Sequence, residues 1–501
     1  MPPLTLTPDP FFNRTHELRA LDRAWRRPAP GGQMSLLYGR RRIGKTYLLQ
    51  RFFTAGASGT EPAKPHAYFL AEQSTAPVQR AALAEQILAA LPDPGISVDE
   101  LAVSYNAILR HVSARCRDGE RFGLVLDEFP YLVDQTPELP SIVQSWWDRE
   151  GVHAQVFVVL CGSQMSAMAA LVAESEPLFG RFNAGVHHLQ PLRYYEAACF
   201  YRDGPLYGLR EALAMYGVFG GTPRYHAMVD TARPMGEEIA DLVMRPGAPL
   251  ENEVRFLLGS QSVRDPAPYN AVLGAIAAGA TQFGRIQQIT GVERGSLSFY
   301  LRTLMDLRWL RREISFGETT DRRALYRFAD PFLAFWYRFV APLGSALQFS
   351  DADAVYRERV EPYLADHMGL SAFEGICAQW LQRYGRDRLG VSLESIARYW
   401  SRDGRVEIDL VGGIAGGGFL FGECKWNEGR PLGTGVYADL RAKVAGLPEV
   451  RWRDGARYVL FALGGFAPDL VTLANDPSNR LLLVGDHDLL PNDRANTEDR
   501  P

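Results

Sequence analysis

The chain has 501 residues, 47% of them apolar and 22% charged, which is an ordinary composition for a soluble globular protein. It is too long for a single core, so about three domains are expected. A net charge of −4 excludes a chain-wide attraction to nucleic acid, and any such contact has to come from a local basic face. Five cysteines, at 116, 161, 199, 377 and 424, are scattered without zinc-ligand spacing, which points to a reducing compartment. The N-terminus, Met-Pro-Pro-Leu-Thr-Leu, has neither a basic nor an apolar leader segment. The apolar runs Val156 to Cys161 and Ala271 to Ala280 are too short for a membrane span. The expectation is a cytoplasmic protein with no membrane partner.

In chain order, residues up to about 260 alternate short apolar runs with helical patterns, as a parallel α/β sheet does. Strands are expected at Ser35–Tyr38, His66–Leu70, Phe122–Leu126 and Val156–Cys161, each nearly continuous in apolar residues because both faces of the sheet are covered. The first strand runs into Gly39-Arg40-Arg41-Arg42-Ile43-Gly44-Lys45-Thr46 and then a helix. That is the full phosphate-binding loop in its required strand–loop–helix context. Gly39 and Gly44 let the backbone form a nest of N–H groups at a helix N-terminus. Lys45 is suited to the β/γ oxygens of ATP and the Thr46 hydroxyl to Mg²⁺. Ile43 completes the nest, and Arg42 is a candidate for added charge beside the phosphates.

The strand Phe122–Leu126 ends in Asp127-Glu128, carboxylates placed to hold Mg²⁺ and to polarise the attacking water, respectively. The strand Val156–Cys161 ends in Gly162-Ser163-Gln164, which makes Ser163 a candidate γ-phosphate sensor, with Gln164 second. Taken with Phe11-Phe-Asn13-Arg14-Thr-His-Glu17-Leu18, Val125–Phe129, Pro177–Phe182 and Phe219–Tyr225, these segments resemble the archaeal-type ATPases, a family in the AAA+/STAND group of P-loop NTPases. The resemblance implies that Asn13–Leu18 lies near the adenine, with Asn13 and Arg14 as the candidate binding residues. It also makes Arg181 a candidate arginine finger or γ-phosphate sensor and Arg224 a weaker second one. AAA+ relatives often form rings, so a homo-oligomer is allowed.

Past a Pro-rich patch at Arg264–Pro268, residues 283–304 have helix-turn-helix proportions. One short helix ends at Gly291, and a second buries Leu297, Leu301 and Leu304. Its other face carries Arg294, Ser298 and Arg302, spaced to enter a major groove of DNA. Wing strands are expected at Leu310–Phe316 and Ala324–Phe328, with Arg311, Arg312, Arg322 and Arg323 on phosphates. Five acids (Glu293, Asp306, Glu313, Glu318 and Asp321) dilute that basic surface, so a winged helix that only packs domains together stays open.

Further on, Val406–Val411 and Phe419–Trp426 flank a Gly-rich turn, as a hairpin does. The side-chain period of two puts Glu423 and Lys425 on one face, which Asp409 can join. Two carboxylates and a lysine there suit metal-dependent hydrolysis. Asp409 and Glu423 would hold a second Mg²⁺ or Mn²⁺, and Lys425 would orient the nucleophile. The hairpin is similar to the PD-(D/E)XK nuclease superfamily, which implies Glu374 on the preceding helix as a further metal ligand. It also resembles the domain of unknown function that ends many archaeal-type ATPases. Ile408 stands where the superfamily has proline.

The expected architecture is multidomain α/β. An AAA+-like P-loop ATPase core (1–190) with parallel sheet is followed by a helical lid (191–265), a winged helix-turn-helix (266–340), a restriction-endonuclease-like α/β domain (350–490) and a disordered tail (491–501). Three functional readings stay open. The first is an ATP-driven switch governing a DNA-binding winged helix and a nuclease-like domain. The second is a signalling ATPase scaffold with an inactive nuclease-like domain. The third is a winged-helix transcription regulator.

Overall fold

A computed structural model describes residues 14–28, 31–56, 61–116, 119–259, 265–427, 429–449, 452 and 455–490. The candidate Asn13, Arg264 of the Pro-rich patch and the tail 491–501 lie outside the described residues. The chain forms two compact units, dividing after Pro191.

The first unit is built on five parallel strands: β1 (Gln33–Tyr38), β2 (His66–Leu70), β3 (Phe122–Asp127), β4 (Val156–Gly162) and β5 (Gly185–His188), in the order β2-β3-β4-β1-β5. Alternation along the central strands explains their unbroken apolar runs. Leu37, Val125, Phe157, Val159 and Cys161 face one layer, packed on Leu18 and Leu21 of α1 (Thr15–Trp25) and Leu48, Leu49, Phe52 and Phe53 of α2 (Lys45–Ala55). Their neighbours Met34, Leu36, Leu124, Leu126, Val158 and Leu160 face the opposite layer. That layer includes Val143, Trp146 and Trp147 of α3 (Leu139–Arg149). A sheet apolar on both faces must be covered twice, and the order places β1 between β4 and β5, so the loop after β1 opens at the carboxyl edge of the sheet's interior. β5 escapes a sequence reading because Gly-Val-His-His carries no apolar run, as suits an edge strand.

In the second unit, the lid, helix-turn-helix and C-terminal segments expected as separate domains share apolar cores. One cluster runs from Ala198 through Phe219, Leu273, Leu297 and Trp309 to Leu364. Another joins Leu192, Tyr194 and Leu213 to Trp380, Leu420 and Phe461. The Tyr194 hydroxyl donates to the Leu489 carbonyl at 2.7 Å, tying the two ends of the unit together.

Within it, α4 (Ala267–Ala277), α5 (Phe283–Thr290) and α6 (Arg294–Asp306) precede an antiparallel pair, β6 (Leu310–Glu313) and β7 (Leu325–Phe328). Gly291, at φ +66°, ends α5, and Leu297, Leu301 and Leu304 are fully buried as the spacing predicts. The first wing strand stops at Glu313, three residues short of the expected Phe316, because the chain there turns to bond elsewhere.

Next, α7 (Glu374–Leu389) leads into a mixed sheet. The strands are β8 (Leu393–Trp400), β9 (Glu407–Ile414), β10 (Phe419–Lys425), β11 (Arg457–Ala462) and β12 (Leu481–Val484), ordered β12-β11-β10-β9-β8. β8, β9 and β10 are antiparallel neighbours, and β11 and β12 continue in parallel after crossovers through α8 (Thr434–Ala445) and α9 (Pro468–Asn475). Among the described residues, no helix is long and apolar enough to cross a membrane.

Candidate functional site

The loop after β1 is shaped by what surrounds it. A side chain on Gly39 would meet the Leu189 carbonyl oxygen at 2.7 Å, so only glycine lets the strand end there. Gly44, at φ +93°, turns the chain into α2. The amides of Gly44, Lys45 and Thr46 have no hydrogen-bond partner among the described residues, as is usual for the first turn of a helix. Orphaned donors of this kind are suited to an anion. Lys45 is buried, and its ammonium donates to the carbonyls of Gly39 (2.9 Å) and Arg40 (3.0 Å), bracing the loop from inside.

Carboxylates converge beside it. Thr46 Oγ1 donates to Asp127 Oδ2 at 2.9 Å, the Tyr68 hydroxyl donates to the same oxygen, and the Glu128 amide donates to Asp127 Oδ1 at 2.9 Å. Burial first, and then the Asp127 charge, drive the Tyr68 phenol well above its ordinary pKa, so Tyr68 stays a donor. Glu128 in turn accepts from the amide (3.1 Å) and hydroxyl (2.9 Å) of Ser163 on its Oε2. Burial, with Asp127 adding to it, likewise pushes the Cys161 thiol far up, so it is inert packing beneath the site. Three of the five non-glycine residues with positive φ among those described are candidate-site residues: Arg14 (65°), Arg42 (66°) and Glu128 (53°). Local strain of this kind collects where surrounding structure dictates geometry. Arg14 is buried and donates to the Ile43 carbonyl at 3.1 Å, holding the loop from the α1 side.

The residues present fit a Mg²⁺-bound triphosphate, because the site offers unpaired amides, a lysine and a hydroxyl–carboxylate pair of the right chemistry. Two expectations read differently in space. Ser163 is engaged with Glu128, so its first role is to hold that carboxylate. Arg181 is not brought to the phosphate loop. Its guanidinium forms a two-bond pair with Asp148 on α3 (3.0 and 2.8 Å) and donates to the Phe179 carbonyl, so its charge is met by a carboxylate on another helix. Tyr68 was missed by the sequence reading. Its signal was a lone hydroxyl in the apolar run His66–Leu70, on the strand beside the one that carries Asp127.

Residues 11–229 match the ATPase domain found predominantly in archaea, and residues 336–435 match archaeal and bacterial proteins of unknown function. The chain therefore carries an ATPase domain of the archaeal type. An uncharacterized protein of Methanocaldococcus jannaschii is 25% identical over 446 residues, covering 88% of this chain and 93% of the relative. Among solved structures, a Walker-type ATPase of Pyrococcus abyssi is 19% identical, with a TM-score of 0.48 over 66% of this chain and 96% of its own. The ORC2 protein of Aeropyrum pernix, solved with ADPNP and ADP, is 17% identical, with a TM-score of 0.44 over 71% of this chain and 96% of its own.

The second candidate centre of this chain lies on the C-terminal sheet. The β9–β10 register pairs Leu410 with Gly422 and, carried one residue further, sets Asp409 opposite Glu423, as the hairpin reading expects. The convergence is real but its charges are already matched. Buried Glu423 accepts from Lys425 (2.7 Å) and from Lys443 on α8 (2.6 Å). Asp409 accepts the Cys424 amide at 2.9 Å and lies 3.6 Å from the Lys425 ammonium. Glu374 pairs with Arg398 at 2.7 Å, and Arg398 also bonds Glu407. Burial pushes the Glu374 carboxyl up to about 7, against the opposing pull of Arg398, with Asp409 adding to the rise. Burial lowers the Lys425 ammonium, but Asp409 and Glu423 outweigh it and leave the net shift upward.

Among the described residues, no group of three or more His, Cys, Asp or Glu side chains could hold a metal ion. The metal-ligand reading of Glu374, Asp409 and Glu423 does not fit this arrangement, because lysine and arginine side chains already pair with these carboxylates. Lys425, expected to orient a nucleophile, is an ion-pair partner here. Arg398 and Lys443 were invisible to a motif reading because they come from other elements.

On α6, Arg294, Ser298 and Arg302 are exposed on one face, with Phe299 between them at 60% exposure. Three of the four wing arginines expected on phosphates are held in ion pairs, while Arg322 is exposed. Arg311 pairs with Glu313, Arg312 with Asp321, and Arg323 with Glu318. Each finds an acid within its own hairpin, the same acids that diluted the sequence charge.

Proposed function

We propose that this chain binds and hydrolyses ATP at Gly39–Thr46 and uses the nucleotide state to control DNA contact through α6. The observation that carries the proposal is the linked set Thr46–Asp127–Glu128–Ser163 beside the orphaned amides of the loop. In this reading Gly39, Arg42, Ile43, Gly44, Lys45 and Thr46 cradle the phosphates, and Arg14 braces the loop through Ile43. Lys45 exchanges its two carbonyl partners for phosphate oxygens. Mg²⁺, when bound, neutralises phosphate charge, with Thr46 and Asp127 the residues to hold it. Glu128 keeps Oε2 on Ser163 and presents Oε1 to the attacking water, which it orients and deprotonates. Arg181 enters only by exchanging Asp148 for a nucleotide, in trans or after rearrangement.

Coupling is supported by connectivity. The Leu189 amide donates to the Tyr38 carbonyl at 2.7 Å, and its own carbonyl abuts Gly39, only two residues before the chain leaves the first unit at Pro191. Whatever moves the loop is felt at that joint. The helical trio with its wing pair supports a winged-helix reading, and the exposed face Arg294, Ser298 and Arg302 supports DNA as the partner. The order α7-β8-β9-β10-α8-β11 supports a restriction-endonuclease-like ancestry for the C-terminal sheet. The ion pairs over its carboxylates favour the version in which that domain does not cleave.

The test is duplex-DNA binding measured by fluorescence anisotropy with ADP and with a non-hydrolysable ATP analogue. The reading expects affinities that differ between the two nucleotides and fall about tenfold in Arg302→Ala. Equal affinities, insensitive to that variant, remove the DNA arm and leave an ATPase scaffold.

A further inference from the structure

β8 is the edge strand of the C-terminal sheet, and an edge exposes a row of unpaired backbone groups that must be covered. Ala397 and Tyr399 turn their pairing groups inward to β9, to Val411 and Ile408. Arg398, at a register shift between them, and Trp400, opposite Glu407, point theirs outward. The outward groups are met by the loop that follows β6. Ser315 Oγ accepts from the Trp400 amide and donates to the Trp400 carbonyl, both at 2.9 Å, and the Phe316 amide donates to the Arg398 carbonyl at 2.8 Å.

Side chains close the same contact. The Phe316 ring sits edge-on to Phe419 and Trp452, with centroids 5.8 and 5.6 Å away. Gly317 lies so close that any side chain there would meet the Trp452 ring at 2.5 Å. Beneath it, Glu313 and Arg327 of the hairpin lie within electrostatic range of Arg398, and Arg327 also within range of Glu374.

We propose that the C-terminal centre is an ion-pair anchor and not a metal site, and that the β8 edge with Phe419 and Trp452 is the receptor for the β6–β7 hairpin of the same chain. Arg398 is the shared piece. Its backbone carbonyl holds the hairpin, while its guanidinium neutralises Glu374 in the carboxylate centre. The lysines complete the neutralisation at Glu423. A wing used in this way is not available to a nucleic-acid backbone, so α6 is left as the exposed reading surface of the helix-turn-helix. The C-terminal domain then serves as the mount that fixes the orientation of α6. The inference stands on these contacts alone, and neither measurement below reads ATP turnover, so its failure is separate from failure of the nucleotide reading.

Two measurements on the full chain test it. Hydrogen exchange resolved to single amides is compared between the unmutated protein and Ser315→Ala, a mild change. The Trp400 amide is expected to exchange at least tenfold faster in the variant, while the Tyr399 amide, bonded on the β9 side, keeps its protection. No change at Trp400, or equal acceleration at both amides, overturns the receptor role. Separately, Mn²⁺ alone is titrated into the unmutated protein without nucleotide and followed by electron paramagnetic resonance. The anchor predicts no site tighter than about 1 mM in the C-terminal centre, since protein cations already fill it. Submillimolar Mn²⁺ binding that disappears in Glu423→Gln overturns the anchor and makes the centre a metal site.

Discussion

Each of the two centres of this chain places lysine beside carboxylates at the end of a buried strand, yet they dispose of charge in opposite ways. At the phosphate loop, Lys45 is held by carbonyls, and Asp127 and Glu128 are held by hydroxyls and amides. Neutral partners fix geometry and leave the formal charges to be matched by something that arrives, a cation at the acids and a phosphate at the lysine. On the C-terminal sheet, Lys425 and Lys443 hold Glu423, and Arg398 holds Glu374. Around Glu423 the charges are matched inside the protein. The same residue types thus make a site that waits for a ligand in one place and an internal fastening in the other. The lesson is that a lysine–carboxylate motif is decided by its second partners, which motif spacing does not reveal.

The largest effect expected from that contrast is at Lys45. Lys45→Ala should lower ATP affinity at least about 100-fold, since a buried ammonium–phosphate contact is worth about 3 kcal/mol. Titration with a fluorescent ATP analogue reads this directly, and unchanged affinity would break the comparison at its first term. Next is Glu128→Gln, which should keep ATP binding while turnover drops on the order of 100-fold. Full turnover in that variant would place the base elsewhere. Third, Glu423→Gln should destabilise the folded chain by about 2 kcal/mol, because it leaves Lys443 and Lys425 without their shared acceptor, both partly open to solvent. Urea unfolding measures it, and an unchanged midpoint would mean the fastening does not hold anything.

The smallest effect sharpens the contrast through pH. The folded pKa of Glu374 lies above its ordinary 4.5, at about 7, so between those values the folded chain holds a proton that the unfolded chain has released. Stability therefore falls as pH rises through that window, by up to about 1 kcal/mol per pH unit from this group. Glu374→Gln should flatten that part of the urea-derived stability profile. A slope that survives the substitution assigns the titration to another group.

What was legible in the sequence divides along the same line. The nucleotide loop, the β3 acids and the buried stripe of α6 are written in contiguous residues, where strand alternation, glycine placement and helical period act locally. The hairpin register that sets Asp409 against Glu423 was likewise readable, since a period of two leaves little choice. The partners that decide the chemistry were not. Tyr68, Arg398 and Lys443 come from separate elements, and the Ser315 contact joins residues 85 positions apart in the chain. β8 itself, Leu-Glu-Ser-Ile-Ala-Arg-Tyr-Trp, is half exposed and mixed in polarity, so it lacks the apolar signature that announced the inner strands. Arg181 reads as a finger by motif and is an Asp148 partner in the fold, again because the neighbour lies on another helix.

The most direct test of the central contrast is the stoichiometry of Mn²⁺ bound in the presence of a non-hydrolysable ATP analogue, read by electron paramagnetic resonance. The account predicts one Mn²⁺ per chain, absent without the nucleotide and lost in Asp127→Asn. A bound Mn²⁺ that needs no nucleotide, or one indifferent to Asp127, would contradict it.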